Sequence, residues 1–188
     1  MNAQIDVSSV VLKTNRLTLR PWRIEDLDDF FEYAKVDGVG QMAGWLPHET
    51  IENSKEILEE FIKGKKTFAI ELDNKVIGSV GIEKYNEILL PELNKKIGRE
   101  IGYALSKEYW GKGIMTEAVN AVIKYLFSEL KLDFIVCCYF TFNDRSKRVT
   151  EKCGFEYVRQ YMYNTYYGAK HECNLTVLNK EKWLNYGK

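Results

Sequence analysis

The stretch SKEYWGKGIMTEA, Ser106 to Ala118, places two glycines, Gly111 and Gly113, directly before the most strongly patterned helix of the chain. From Met115 to Leu130, apolar residues recur at i, i+3 and i+4, which is typical of a helix with one face in the core. The preceding run IGYALS reads as a strand. The stretch therefore predicts a strand that passes through a glycine loop into the N-terminus of a helix.

The position of the glycine pair has a specific chemistry. The first N–H groups of a helix lack an intrahelical acceptor, and the helix dipole adds partial positive charge, so such a place suits a phosphate. Glycine keeps Cβ atoms away from a ligand, and Lys112 adds a cation. The stretch is not a P-loop, and Thr116 stands where a dinucleotide fingerprint needs its third glycine. Taken alone, G-x-G also fits a tight turn packed near a sheet.

Hydrophobic periodicity and turn residues predict the remaining elements. Asp73–Asn74 supplies a two-residue hairpin turn between two alternating strands. The run FIVCCYFTF, Phe134 to Phe142, is almost wholly apolar, as expected for a strand buried on both faces. The order β-α-α-β-β-β-α-β-α-β-β predicts one α/β domain over residues 1–188, with its core at about 12–183.

Composition restricts the class of function. A formal net charge of zero argues against general attraction to nucleic acid or to anionic membranes. The start MNAQIDVSSV lacks the pattern of a signal peptide, and no apolar run approaches a membrane span, so we expect a cytoplasmic protein. The two histidines lie far apart, so we expect no zinc site. The cysteines show no C-x-x-C spacing and are expected to be small core residues in a reducing compartment; they are Cys137, Cys138, Cys153 and Cys173.

The run EYWGKG, Glu108 to Gly113, resembles the pyrophosphate-binding motif Q/R-x-x-G-x-G/A of the GNAT superfamily of acetyl-CoA-dependent N-acetyltransferases. Glu108 departs from that motif, since glutamine or arginine is usual at this position. The stretches LKTNRLTLRPWRIEDLDDFFEYA and NDRSKRVTEKCGFEYV are similar to the RimJ/RimL-type branch, the N-terminal acetyltransferases of ribosomal proteins and their relatives. The resemblance runs from about Leu12 to about Trp183.

This resemblance implies a fold and a cofactor site. The GNAT acyl-CoA N-acyltransferase fold is an α/β (α+β) structure with a mixed sheet of about seven strands, splayed between strands 4 and 5, and about four helices. The pantetheine arm of acetyl-CoA, used as co-substrate without a metal, would lie between REIGYALS and FIVCCYFTF. The residues implied to hold acetyl-CoA are Tyr103, Ala104 and Leu105 for the pantetheine, Gly111, Lys112, Gly113 and Ile114 for the pyrophosphate, and Asn143 and Ser146. For Asn143, a plain helix cap is the alternative.

The resemblance also implies catalytic roles. Many GNAT enzymes carry a tyrosine seven positions after the asparagine as acid to the leaving thiolate, but Thr150 stands there in this chain. Ser146 matches a serine of the RimJ/RimL-type branch and becomes the candidate donor to the sulfur, although a serine in a first helical turn can instead satisfy the backbone. Glu100 is the candidate general base. Its alternatives are a solvated strand-end carboxylate, an ion pair with Arg99, or a proton relay through water.

The acceptor site is expected in two loops, GVGQMAGWLPHE and YMYNTYYGAKHE. Trp45 and Tyr163 are the candidate substrate-binding residues, with ordinary edge packing as the alternative for each. The expected acceptor is an α-amine of a peptide N-terminus or of a small molecule. A non-catalytic CoA-binding module, or an acetyltransferase for a polyamine, antibiotic or lysine amine, remains the alternative. The protein is expected to act as a monomer or homodimer, without nucleic acid or membrane partners.

Overall fold

The computed structural model describes residues 1–185, which form eight strands and five α-helices together with short 3-10 turns. The strands form one mixed sheet in the order β1-β2-β3-β4-β5-β6-β8-β7. Their bounds are β1 Leu12–Lys13, β2 Thr18–Pro21, β3 Thr67–Leu72, β4 Lys75–Glu83, β5 Gly98–Leu105, β6 Phe134–Phe140, β7 Glu156–Asn164 and β8 Lys170–Asn179. The helices are α1 Leu27–Ala34, α2 Ile51–Gly64, α3 Ile114–Ser128, α4 Asp144–Lys152 and α5 Lys180–Asn185.

The sheet splits between β5 and β6, its one parallel pair within residues 1–185. These strands pair from Gly98 opposite Phe134 to Ile101 opposite Cys137. Beyond Ile101, β5 continues to Leu105 while pairing only with β4, and β6 continues to Phe140 while pairing only with β8. The expected mixed sheet and its splayed pair are thus confirmed.

Two elements had not been anticipated from the sequence. Strand β1 has two residues and pairs with β2, and α5 has six residues. Neither is long enough to develop a readable alternation or a full amphipathic stripe. Helix α2 ends at Gly64, and the next residue, Lys65, takes the left-handed cap conformation at φ 52°. None of the described helices is long and apolar enough to cross a membrane.

Helix α3 fixes the geometry around the splayed pair. The apolar stripe of this helix is buried against the sheet in the main core. The buried residues of the stripe are Ile114, Met115, Ala118, Val119, Val122, Ile123, Leu126 and Phe127. Burial of each large side chain contributes about 1.5–3 kcal/mol. The helix is therefore held firmly by its sides, and its first residue, Ile114, is brought next to the open end of β5.

Candidate active site

A cavity of about 480 Å³ opens where β5 and β6 separate. It is lined by parts of β5 and β6, the starts of α3 and α4, and the loops before α2 and after β7. Most of the candidate residues from the sequence line it, namely Glu100, Tyr103, Ala104, Leu105, Gly111, Gly113, Ile114, Asn143, Ser146 and Tyr163. Two of the candidates, Lys112 and Trp45, do not line the cavity. The Lys112 ammonium lies over the ring of Tyr109, 5.3 Å from its centroid.

The glycine loop presents unpaired backbone donors to this cavity. Gly111 and Gly113 both take the left-handed conformation, at φ 77° and 74°, and Gly113 is the N-cap of α3. Within residues 1–185, no hydrogen-bond acceptor is found for the backbone N–H groups of the loop and helix start, which belong to Gly111, Lys112, Gly113 and Ile114. A Cβ at Gly111 would meet no atom within 4 Å. The space in front of the loop is therefore open, and it is bordered by N–H groups at the positive end of the helix dipole. Such a place suits an anion.

Arg16 anchors this loop from behind, a role that sequence reasoning missed. Its Nη1 donates to the carbonyl of Lys112 at 3.0 Å, and its Nε donates to Glu117 at 2.7 Å. Thr14 donates to the same carboxylate at 2.5 Å. Because Glu117 lies in the first turn of α3, these contacts tie the loop and the helix start to the strand β2 region. About a hundred residues separate the partners, so no local pattern indicated the contact.

The edge of β5 facing the gap is formed by alternate residues. A Cβ built at Gly78 would lie 2.5 Å from the carbonyl oxygen of Ala104, and Ser106 N donates to Ile77 O in β4 at 2.8 Å. Since successive residues of a strand direct their backbone groups to opposite sides, Tyr103 and Leu105 face the gap while Ala104 faces β4. The expectation of three gap-facing residues is thus reduced to two. The carbonyl of Leu105 also accepts from the indole of Trp110 at 2.8 Å.

The side chain of Asn143 is occupied in two contacts. Its Oδ1 accepts from Ser146 N at 3.1 Å, which caps α4, and its Nδ2 donates to Met42 O at 3.2 Å. The asparagine thus caps the helix and ties the loop before α2 to the cavity wall. Thr150, at the position of the usual family tyrosine, is 2% exposed and donates to Lys147 O at 2.8 Å. It lies outside the cavity.

Ser146 lies at the cavity with a partner from β5. Its Oγ is 2.7 Å from the phenolic oxygen of Tyr103, and the serine is 7% exposed. Burial raises the pKa of the Tyr103 phenol well above its usual value, so the phenol keeps its proton at neutral pH. The tyrosine was expected to contribute its backbone; the structure adds its side chain to the site.

Glu100 lines the cavity on the opposite face of β5 from Tyr103, because the two residues are an odd number apart in the strand. The pKa of its carboxyl is raised to about 7, mainly by burial; a hydrogen bond with the Cys138 thiol opposes the shift, and the charge of Glu83 adds to it. Glu83 is the direct cross-strand partner of Glu100. Arg99 does not form the expected alternative ion pair, since its Nε donates to Ala3 O at 2.7 Å.

Aromatic and sulfur-containing side chains form the wall of the cavity on the Glu100 face. Tyr163 packs against Phe140 with ring centroids 5.7 Å apart, and Met42 lines the same space. Tyr166 is 86% exposed at the cavity, and its backbone N–H donates to Gly44 O at 3.0 Å. The loops before α2 and after β7 are therefore joined by a hydrogen bond, and both contribute residues to the cavity wall.

Trp45 lies outside this wall, contrary to the expectation that it lines the acceptor site. A Cβ built at Gly40 would be 2.3 Å from the Trp45 ring, so the indole packs directly on the backbone of that glycine. Its other neighbour is His48, with ring centroids 5.1 Å apart. The tryptophan therefore stabilises the loop before α2, which matches the packing alternative.

A model of the acetyltransferase (GNAT) domain matches residues 16–156 of the chain. The chain belongs to the GNAT family. An uncharacterized N-acetyltransferase of Bacillus subtilis, YoaA, is 29% identical over 92% of this chain and 98% of its own length. The ribosomal protein uS5-alanine N-acetyltransferase of Escherichia coli is 26% identical over 68% of this chain and 65% of its own. A GNAT acetyltransferase structure from Bacillus anthracis shares the fold with a TM-score of 0.79, covering 92% of this chain and 99% of that chain at 24% identity.

This GNAT protein is an acetyl-CoA-dependent N-acetyltransferase, and its cavity fits that co-substrate. The gap between β5 and β6 leaves the backbone groups of Tyr103 and Leu105 without a strand partner there, and the glycine loop supplies free N–H groups. Among residues 1–185 no group of three or more histidine, cysteine or acidic side chains could hold a metal ion.

Three further basic residues of the GNAT cavity had not been singled out from the sequence. Arg145, Arg148 and Lys152 all line it from α4, at spacings of three and four that place them on one helix face. The Arg145 guanidinium lies 4.4 Å from the centroid of the Trp110 ring. Because α4 and the glycine loop line the same cavity, these three side chains add positive charge to it.

Proposed function

We propose that this acetyltransferase modifies an α-amine, at a peptide or protein N-terminus or in a small α-amino compound, with Glu100 as general base. The observation that carries the proposal is the Glu100 carboxyl, which lines the cavity with a pKa raised to about 7 by burial. A base with a pKa near neutrality combines an ionised fraction at neutral pH with enough basicity to accept a proton. Glu100 accepts the proton of the attacking amine.

The pKa of the base favours an α-amine over a lysine side chain. An α-ammonium group has a pKa of about 7.7–8.0 and a lysine about 10.4. Transfer of the proton to a carboxylate of pKa about 7 therefore costs about 1 kcal/mol from the α-ammonium and about 4.6 kcal/mol from lysine. A site with this base is suited to the more acidic ammonium group.

The charge of the acceptor end favours one ammonium group over a polyamine. Glu83 and Glu100 are the carboxylates that line the cavity within residues 1–185, and Lys66 pairs with Glu83. One carboxylate thus remains uncompensated, which matches a single positive charge. The aromatic wall can pack on the residue that carries the amine. The uS5-alanine enzyme, similar to this chain, is named for acetylation of an alanine of a ribosomal protein, which supports an N-terminal acceptor.

A competition assay tests the acceptor. One peptide carries a free N-terminus and a blocked lysine, and its matched partner carries a blocked N-terminus and a free lysine. We expect acetylation, measured as CoA release and as a mass shift of the peptide, on the first peptide only. Product on the lysine peptide alone, or on spermidine alone, would overturn the α-amine proposal and leave the family assignment intact.

Glu83→Gln is expected to shift the pH dependence of the reaction. Removing the neighbouring negative charge lowers the pKa of Glu100, because that charge disfavours the ionised form of Glu100. Glu100 must be ionised to act as a base, so the acidic limb of the kcat/KM profile should move to lower pH. The profile is measured with a saturating concentration of acetyl-CoA.

Lys66→Met provides the opposing variant, since it removes the cation that pairs with Glu83. The uncompensated Glu83 should act more strongly on Glu100, and the acidic limb should move to higher pH. Identical limbs in wild type and both variants would show that the carboxylate of Glu100 is not the group that titrates in the profile.

A further inference from the structure

We propose that Tyr103 replaces the missing helix tyrosine of this family by orienting the hydroxyl of Ser146 toward the departing thiolate. In this arrangement Ser146 donates the hydrogen bond to the sulfur, and Tyr103 is a positioning residue that acts through it. The inference rests on the proposed acetyl transfer. Its experiments include measurements that do not depend on the acceptor.

The contact bridges the two halves of the splayed site. Tyr103 lies on β5, two residues beyond Ile101, where pairing with β6 ends. Its side chain crosses to the first turn of α4, and its Oη lies 2.7 Å from Ser146 Oγ. Both residues line the cavity, whereas Thr150 is turned to Lys147 O and lies outside it. The phenol of the site is therefore supplied by a strand instead of the helix.

The position of the pair separates the two proton-handling groups. Glu100 and Tyr103 lie on opposite faces of β5, because side chains alternate along a strand. An amine approaching from the aromatic wall meets Glu100, and the Tyr103–Ser146 pair lies across the gap. The base and the thiolate donor therefore lie on opposite faces of the strand, each on its own side of the reacting carbon.

The chemistry of the two hydroxyls favours one direction for their hydrogen bond. A phenol is the more acidic group and the better donor, whereas an aliphatic hydroxyl oxygen is the better acceptor. Within the described residues, the hydrogen-bond partners of the Tyr103 hydroxyl are Ser146 Oγ and, at 3.4 Å, the backbone oxygen of Ser146. If Tyr103 donates to Ser146, the serine proton is left to point into the cavity. The backbone N–H of Ser146 is already capped by Asn143, which fixes the turn.

The bonds and protons balance as follows. The amine nitrogen forms a bond to the acetyl carbon, and the bond from that carbon to sulfur breaks, with its electron pair leaving on sulfur. The proton lost by nitrogen goes to Glu100. The Ser146 hydroxyl donates a hydrogen bond to the sulfur while charge develops there, and the sulfur later takes its proton from solvent. Neither Ser146 nor Tyr103 becomes ionised, which agrees with the buried position of the pair.

Kinetics of Tyr103→Phe and Ser146→Ala test the pair. Loss of one hydrogen bond to a charged group is expected to lower kcat by about 10–100-fold, with the KM for acetyl-CoA nearly unchanged. The double variant should be scarcely slower than Ser146→Ala, because Tyr103 acts through the serine. Thr150→Val is the control and should retain wild-type kcat. Circular dichroism of each variant establishes that it is folded.

Two further measurements distinguish this role from a structural one. The pKa of the thiol of bound coenzyme A, followed by the ultraviolet absorbance of the thiolate, should be higher in both variants than in wild type. An acetyl thioester of a more acidic thiol needs less help in departure, so it should restore much of the lost rate. If Tyr103→Phe leaves both kcat and the bound-thiol pKa unchanged, or if Thr150→Val is the slow variant, the proposal is wrong. If wild type transfers acetyl to no amine while the bound-thiol pKa shifts as described, the proposed acceptor class fails and the Tyr103–Ser146 pair stands.

Discussion

Gly113→Val is expected to weaken acetyl-CoA binding by about 100-fold or more while the fold survives. The substitution forces a β-branched residue into a left-handed φ of 74° and places its Cβ 3.7 Å from Arg16 Nη2, so the loop that aligns the N–H groups for the expected pyrophosphate must change shape. Each hydrogen bond to a charged group is worth about 1.5–3 kcal/mol, so the loss of two corresponds to about 100-fold or more. Isothermal titration calorimetry with acetyl-CoA measures the change in affinity.

The matched control is Gly38→Val. Gly38 and Gly113 both have a left-handed φ, 87° and 74°, and at each a Cβ would lie 3.7 Å from one cationic side-chain nitrogen. The two substitutions therefore impose a similar backbone strain, but Gly38 lies outside the glycine loop. Thermal denaturation should show similar losses in stability for both. Equal affinities for acetyl-CoA in folded Gly113→Val and in wild type would contradict a pyrophosphate site at this loop.

Glu100→Gln is expected to lower kcat by about 10²–10⁴-fold, the usual contribution of a general base. Acetyl-CoA affinity should be unchanged, because the carboxyl lies on the face of β5 opposite the Tyr103–Ser146 pair. Wild-type kcat/KM should rise with pH through about 7, where Glu100 ionises, and the variant should lack this limb. Glu59→Gln removes an exposed carboxylate of α2 and serves as the control for charge. Retention of wild-type kcat in Glu100→Gln would point to a proton relay through water.

The same variant should also be more stable than wild type at high pH. The pKa of Glu100 is about 7 in the folded protein and about 4.3 in the unfolded chain, so ionisation opposes folding as pH rises between these values. Above pH 7 the cost reaches up to about 4 kcal/mol, and glutamine removes it. Below both pKa values the carboxyl is neutral in both states, and the two proteins should have similar stability. Urea denaturation at both extremes of pH measures the difference. An equal free energy of unfolding at every pH would show that the carboxyl is not buried at a cost.

The fold and the glycine loop were accessible from the sequence because they are encoded locally. The stripe from Met115 to Leu130 and the apolar run from Phe134 predict α3 and β6 without any knowledge of their neighbours. The glycine pair marks the junction because left-handed angles are inexpensive only for glycine, and both glycines adopt them. Strand β1 and helix α5 were missed because they are too short to show a repeating hydrophobic pattern in the sequence.

Tertiary structure decided what the side chains of the site do. Trp45 and Tyr163 are equally plausible acceptor residues in the sequence, but the lack of a Cβ at Gly40 lets the Trp45 ring pack on the backbone, while Tyr163 packs on Phe140 at the cavity. The backbone groups of Tyr103 face the gap and those of Ala104 face β4, because the pleat turns successive residues to opposite sides.

The sequence by itself determined all the elements except β1 and α5, the order of those elements, and the glycine loop. It did not determine the pKa of Glu100, the anchor from Arg16 to Glu117, or the contact between Tyr103 and Ser146. These depend on pairs that lie 17, 101 and 43 residues apart: Glu83 with Glu100 in adjacent strands, and the two side-chain contacts. Hydrogen bonds and charges act over a few ångströms in space, and burial sets their strength. The sequence therefore does not reveal which groups interact, or how strongly, before the chain has folded.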